Sequence, residues 1–193
     1  MKEEQRTDFL ERCHAQSLRM CSLLSDMSTL TRLDEAQIVR PKTPVDAAMI
    51  LRQIQDETAE EFAARGMKVR MNIPDSLPMS GDPSFLYSMF RNIFNNAIAY
   101  ASGATCFEVH ASAVRNRYVF RFIDDGVGVP AEHLPHIFER FYRIDKGRSR
   151  QLGGTGLGLA IVKNIALQYG GSASASNTPG GGLTVTVEID PAS

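Results

Sequence analysis

The chain has 193 residues, 43% of them hydrophobic, with 21 Lys and Arg against 22 Asp and Glu and a formal net charge of −1. That length suits one domain of about 150 residues plus an appendage, and the absence of a basic excess argues against a nucleic-acid partner. No apolar run approaches the roughly 18 residues of a membrane span and no signal peptide is visible, so the chain reads as soluble, and the three scattered cysteines, Cys13, Cys21 and Cys106, fit a reducing cytosol better than a disulfide framework or a zinc site.

Lys2 to Ala36 contains neither Pro nor Gly and carries Phe9, Cys13, Met20, Leu24, Met27 and Leu30 at roughly helical spacing. The spacing predicts one long helix with an apolar stripe. A lone helix of this length needs a partner for its stripe: either its own domain or a second helix, in a hairpin that dimerises. Pro41 and Pro44 set it apart from the rest of the chain, which favours the hairpin. Asp46 to Arg65 reads as a second helix ended by Gly66, with Ile50, Leu51, Ile54 and Phe62 facing a core. Lys68 to Ile73 alternates Val69, Met71 and Ile73 as a strand does, and Pro74 to Gly81 reads as a loop.

Asp82-Pro83 starts the next helix, with Asp as cap and Pro at the first helical position, and the helix runs to about Tyr100. Leu86, Phe90, Ile93 and Ala97 form its buried stripe, while Asn92 and Asn96 stand one turn apart on an adjacent face. Asn is a poor helix former unless its side chain has a task. Two such amides are either solvated or a polar ledge whose oxygens ligate a hard cation such as Mg²⁺. Thr105 to Val114 and Tyr118 to Asp124 alternate by twos around Asn116 and read as an antiparallel hairpin. Asp124 shares the parity of Tyr118, Phe120 and Phe122, which places a carboxylate at the end of a covered strand, just before Asp125-Gly126-Val127-Gly128. A carboxylate there needs a donor, and the exocyclic amine of adenine would supply one; the alternative is an Asp that caps its own turn.

His133 to Phe141 reads as a short aromatic helix packing Ile137, Phe138 and Phe141 on the core, with His133 and His136 as surface residues rather than metal ligands. Arg143 to Leu152 is polar, with Arg143, Lys146, Arg148 and Arg150 against only Asp145. Such a loop suits the cover of a polyanion. It leads into Gly153-Gly154-Thr155-Gly156-Leu157-Gly158, which enters an apolar helix from Leu157 to Tyr169. Glycines let backbone approach a ligand, and a helix start presents unpaired N–H groups, so the cluster is expected to bind phosphate. It is not a P-loop, which would close on Gly-Lys-Ser/Thr, nor a Rossmann turn, whose glycines open the first βα unit. Two alternating strands, Ser172 to Asn177 and Leu183 to Ile189, finish the chain.

Four segments in this order resemble the motif set of sensor histidine kinases. Asn92-x-x-x-Asn96-Ala97 resembles the N box, Asp124-x-Gly126-x-Gly128 the first glycine box, Phe138-x-x-Phe141 the F box, and Gly154-Thr155-Gly156-Leu157-Gly158 the second glycine box. The resemblance covers about Pro41 to Ile189. It implies the Bergerat fold, an α/β (α+β) sandwich in which a mixed sheet carries helices on one face, preceded here by the long N-terminal helix. It implies ATP and Mg²⁺ as cofactors, with Asn96 on Mg²⁺, Asn92 on the phosphates, Tyr100 lining the nucleotide and Asp124 on the adenine amine. Gly126 and Gly128 would let backbone pass the base, Arg143 would lie near the phosphates, and Gly154, Gly156 and Gly158, with Thr155 and Leu157 between them, would shape the lid and the helix start.

Two departures stand out. Where the family commonly has Lys three residues after the second Asn, this chain has Ala99, so that either one phosphate contact is lost or Arg91 or a loop cation replaces it. The family's phosphoacceptor box is also absent, and His14, followed by Ala15-Gln16-Ser17, does not match it. Residues 1–40 instead resemble the second helix of the dimerisation hairpin, and 41–193 the ATP-binding domain. The implied partners are a second copy through the N-terminal helix and a response-regulator receiver domain; the implied place is the cytoplasm, with the acceptor His and any sensor or membrane anchor in a preceding region. The alternatives are an ATPase of the chaperone or mismatch-repair type, which needs a Glu where this chain has Asn92, and a nucleotide-binding module without kinase activity.

Overall fold

A computed structural model describes residues 3–35, 43–144 and 154–192. Its elements are α1 (Glu3–Glu35), β1 (Thr43–Asp46), α2 (Ala47–Ala64), β2 (Lys68–Asn72), β3 (Pro78–Gly81), α3 (Pro83–Tyr100), β4 (Cys106–Val114), β5 (Arg117–Asp124), α4 (Gly158–Gln168), β6 (Ser172–Asn177) and β7 (Leu183–Ile189).

Local chemistry sets most of these boundaries. Asp46 caps α2 by accepting from the Ala48 N–H at 2.8 Å, and the same carboxylate accepts from Leu77 N–H and Ser76 Oγ, tying the following loop to the helix start. α2 closes on Gly66, whose φ of +70° is the left-handed turn that ends helices. Asp82 caps α3 through Ser84 N–H, with Pro83 following as expected. Arg115 and Asn116 both take positive φ, the requirement of a two-residue hairpin turn between β4 and β5.

Five strands form one sheet in the order β2-β4-β5-β7-β6, with β2 parallel to β4 and every other pair antiparallel. One face carries Phe107, Val109, Phe120, Phe122, Val185 and Val187, and on it lie α2, α3 and α4. Phe62 of α2 stacks on Phe107 at 5.3 Å, and Phe90 and Phe94 of α3 meet Phe120 and Phe107 at 5.0 and 5.1 Å. This aromatic layer welds helices to sheet, each ring burying a large apolar area. The other face is polar: Arg70 pairs with Glu108 at 3.2 Å, and Cys106 lies half-buried beside them. The result is the mixed sheet with helices on one face that the motifs imply.

Three expectations need correction. The stretches read as a proline separator and a loop contribute β1 and β3, paired antiparallel from Thr43↔Gly81 to Asp46↔Pro78. Four-residue strands containing Pro44 and Pro78 show no alternation, so nothing local betrays them. The segment read as a short helix, His133 to Phe141, is instead a run of separate turns, with N–H to carbonyl bonds from His133 to Pro130, His136 to His133 and Glu139 to His136. Pro135 donates no hydrogen bond, and Phe141 leaves helical space altogether: its φ is +66°, its N–H bonds the Gly156 carbonyl at 2.8 Å, and its ring is 61% exposed rather than packed.

The third concerns α1, which is not set apart. Leu30 is buried, and Leu23 and Leu33 pack against the core. Arg32 reaches Ser84 Oγ at 3.1 Å and lies 5.0 Å over the Phe85 ring, and Arg140 bonds Asp34 at 3.2 Å. The prolines that follow α1 in sequence do not keep it at a distance in space. Phe9, Met20, Leu24 and Met27, the rest of the stripe, stay exposed, as do Cys13 and Cys21.

Candidate functional site

The end of β5, the loop after it, the inner face of α3 and the start of α4 enclose a cavity of about 810 Å³. Ten of the twelve residues expected at a nucleotide site line it: Asn92, Asn96, Tyr100, Asp124, Gly128, Arg143, Gly154, Thr155, Gly156 and Gly158. Gly126 and Leu157 stand just behind its wall. Gly126 N–H donates to Asp124 Oδ1 at 3.0 Å, and Leu157, fully buried, precedes the first turn of α4 and donates its N–H to Thr155 Oγ1 at 3.1 Å. Their part is to hold the shape rather than to face a ligand.

Asp124 is 8% exposed. Its Oδ1 takes two backbone donors, Gly126 N–H and Leu183 N–H at 3.2 Å, while no described residue donates to Oδ2. Burial pushes its pKa up and the two backbone donors only partly offset this, the neighbouring Asp125 adding to the rise. Asp125 differs: it is turned away to cap Thr105 and Cys106 N–H, and those bonds with Thr105 Oγ1 outweigh its burial and lower its pKa. A buried carboxylate with one oxygen uncommitted is a hydrogen-bond acceptor held ready for a donor.

On α3, Asn92 Nδ2 donates back to the Ser88 carbonyl at 2.8 Å, which turns its Oδ1 towards α4. A Cβ on Gly158 would sit 2.8 Å from that oxygen, so glycine is what lets the first turn of α4 close against the amide. The Asn96 side chain lines the same wall one turn on, half-buried, with no described hydrogen bond. Two amide oxygens beside a helix start form a hard-donor set that fits Mg²⁺ with phosphate. Gly156 has φ +74° and packs its Cα against the backbone of Phe141, which binds the glycine cluster to the turn segment. Arg143 emerges from that segment with its Nε and Nη2 buried and without a hydrogen-bond partner among the described residues. A buried guanidinium with two of its nitrogens unpartnered among the described residues fits an anionic ligand.

Sequence reasoning missed several contributors. Asn177 grips the loop around Gly128 by accepting from Val129 N–H at 2.9 Å and donating to its carbonyl at 2.7 Å. His133 fixes Tyr142, another wall residue, through a 2.7 Å bond to its hydroxyl. Arg91, which the sequence did offer as a replacement for the Lys missing at Ala99, lines the wall but is held by Glu61 at 3.0 Å and Glu57 at 3.8 Å, so its charge is already matched. Ser22 and Asp26 of α1 also reach the cavity. Asn177, Ser22 and Asp26 have no local signal, since their contacts join distant parts of the chain, and the His133–Tyr142 bond, though only nine residues long, depends on how the intervening turns fold. The basic stretch read as a lid lies, beyond Arg143 and Ile144, outside the described residues up to Gly154.

The profile of the family described as "Histidine kinase-, DNA gyrase B-, and HSP90-like ATPase" matches residues 81–193, from Gly81 at the end of β3 to Ser193. The chain belongs to this ATPase family. Within it, the similar proteins are sensor kinases. The "Signal transduction histidine-protein kinase BaeS" of Escherichia coli (strain K12) is 34% identical over 170 residues, 88% of this chain and 36% of that protein. The "Sensor protein kinase WalK" of Staphylococcus haemolyticus is 33% identical over 184 residues, 94% of this chain and 30% of that protein. The chain thus spans roughly a third of these relatives. Among solved structures, full-length ShkA in complex with AMPPNP superposes on the whole chain with a TM-score of 0.80 at 26% identity, over 40% of its own length. The fold is the Bergerat fold of the histidine-kinase-like ATPases.

Proposed function

We propose that the cavity binds Mg·ATP, and that the intact protein passes the γ-phosphoryl group to a His on a dimerisation helix and on to an Asp of a response-regulator receiver domain. The observation that carries this reading is Asp124, a buried carboxylate with one oxygen unbonded among the described residues at the base of a cavity whose opposite end offers a helix start, two Asn oxygens and an Arg with unpartnered nitrogens among the described residues. The first end recognises a base with an exocyclic amine; the second suits phosphate.

In the proposed transfer a lone pair of the acceptor imidazole attacks the γ-phosphorus. The bond to the β,γ-bridging oxygen breaks, ADP leaves, and the imidazole N–H proton passes to a base beside the acceptor. The work of this domain is positioning and charge neutralisation. Asn96 would hold Mg²⁺, which would neutralise charge on the phosphate oxygens, and Asn92 would meet the phosphates themselves. Arg143 and the α4 N–H groups would hold the polyphosphate, and Tyr100 would flank the nucleotide. Residues 1–40 serve as the second helix of a dimerisation hairpin and 41–193 as the catalytic domain; the exposed Phe9, Met20, Leu24 and Met27 are the surface a second copy covers. Among the described residues no helix is long and apolar enough to cross a membrane, and a cytoplasmic site of action, with any anchor in a preceding region, completes the proposal.

Calorimetric titration with a non-hydrolysable ATP analogue, with and without Mg²⁺, tests the binding. Micromolar to sub-millimolar affinity that strengthens with Mg²⁺ is expected; no binding at millimolar nucleotide refutes the reading. Incubated alone with γ-labelled ATP, the 193-residue chain is expected to acquire no stable label, and label on His14 would contradict the assignment.

A further inference from the structure

Helix α1 lies outside the matched family segment, yet it forms part of the cavity wall through Ser22 and Asp26. Asp26 Oδ2 accepts from Thr155 Oγ1 at 2.8 Å, across 129 residues of sequence. The same Thr155 oxygen accepts from Leu157 N–H, the donor that precedes the first turn of α4. A carboxylate of α1 therefore sits one hydroxyl away from the helix start. The positive end of a helix attracts an anion of either source, a side-chain carboxylate or a phosphate. Burial of Asp26 raises its pKa against the pull of the Thr155 bond, so the charged group is held at a cost in solvation. The seat is fixed from elsewhere: Leu23, Leu30 and Leu33 pack on the core, and Arg32 and Asp34 tie the last turns of α1 to Ser84 and Arg140.

We propose that Asp26 is an internal competitor for the nucleotide's polyphosphate: α1, docked through Thr155, supplies the anion at the start of α4, and triphosphate binding and α1 docking oppose each other. This rests on the nucleotide reading of the cavity. The opposition is local to the phosphate end, because Asp124 and the adenine end lie on β5, away from α1. By reciprocity, a helix held in the docked position lowers affinity for the triphosphate by the same factor as the triphosphate loosens the helix. Signals that move α1 would thereby reach the nucleotide site directly, through a single carboxylate.

The test uses the full chain and two ligands, Mg·AMP-PNP and AMP, the second lacking β- and γ-phosphates. Asp26→Asn keeps an oxygen for Thr155 and removes the charge. It is expected to tighten Mg·AMP-PNP roughly three- to tenfold, the size of a like-charge contact partly screened by water, with AMP changed less than about twofold. Unchanged or weakened Mg·AMP-PNP binding, or equal tightening of both ligands, overturns the proposal while wild-type binding keeps the nucleotide reading intact. Absence of Mg·AMP-PNP binding to wild type and variant alike overturns both. A second measurement needs no variant: amide hydrogen exchange across residues 19–30 of the wild type should quicken with Mg·AMP-PNP and stay unchanged with AMP, and slower or unaltered exchange with Mg·AMP-PNP refutes the competition.

Discussion

Replacing Asp124 by Asn tests the base end of the cavity with a change of one atom. Both groups on Oδ1, Gly126 and Leu183, are backbone N–H donors. The oxygen of the new amide must therefore stay on them, and its NH₂ is forced into the cavity, donor facing donor against the amine of adenine. A hydrogen bond to a charged group contributes about 1.5–3 kcal/mol, so affinity for an ATP analogue should fall roughly ten- to 150-fold. The inosine analogue, which carries an oxygen in place of the amine, should lose far less or gain, so the variant reverses the preference between the two. Stability should not fall in parallel. Burial raises the pKa of Asp124, which means that the ionised form is less favoured in the folded state than in the unfolded one. Wild type without nucleotide accordingly gains stability as pH drops through the raised folded value towards the unfolded value, and the Asp124→Asn variant has no such dependence. Titration calorimetry with both analogues, paired with thermal melts, reads all of this. An unchanged affinity for the ATP analogue, or an equal loss for both bases, would refute the role given to Asp124.

Asn96→Ala should abolish most of the Mg²⁺ dependence of nucleotide binding while leaving metal-free binding close to wild type; titrations with and without Mg²⁺ decide, and a variant that keeps the full dependence removes Asn96 from the metal. Gly158→Ala places a Cβ 2.8 Å from Asn92 Oδ1, an overpacking cost of about 1–3 kcal/mol set against up to about 1 kcal/mol of improved helix propensity. A lowered melting midpoint and weaker nucleotide binding are expected, and a stabilised variant with normal affinity would show that the Asn92 amide moves aside freely. Asp46→Ala removes the cap of α2 together with the bonds to Ser76 and Leu77 and should cost about 1–2 kcal/mol in urea unfolding. The pKa of Asp46 is lowered, its hydrogen bonds outweighing burial, so its contribution is full above the unfolded carboxyl pKa and fades as pH falls through the folded one; wild type and variant should converge in acid.

The parts of the fold written in local signals were legible. Asp82-Pro83, the alternation on either side of Asn116, and the glycines around α4 each act within a few residues, and the corresponding elements fall where expected. What escaped was tertiary. β1 and β3 exist only as each other's partner, the turn at Phe141 bends to satisfy Gly156, and Asn177 reaches over 48 residues to Val129. The site divides in the same way. Asn92 and Asn96 were visible because Asn is a poor helix former unless its side chain has a task, and Asp124 because a carboxylate on a covered strand needs a donor. Asp26 was not, because an Asp on a polar helix is ordinary until the helix is laid across the cavity.

The placement of the three thiols has a practical consequence for spectroscopy. Cys13 and Cys21 are exposed on α1, whereas Cys106 is half-buried on the polar face of the sheet, its pKa raised by burial and by the carboxylates of Glu108 and Asp125 against the pull of Arg70. Thiolate is the reactive form, so a maleimide dye at neutral pH reaches α1 first and the sheet last. Unmutated protein therefore carries two exposed attachment points on α1 and a third, half-buried and less reactive, on the sheet. Cys21 is one residue from Ser22 in the cavity wall, which makes it the place where a fluorophore would register the helix parting from the glycine cluster.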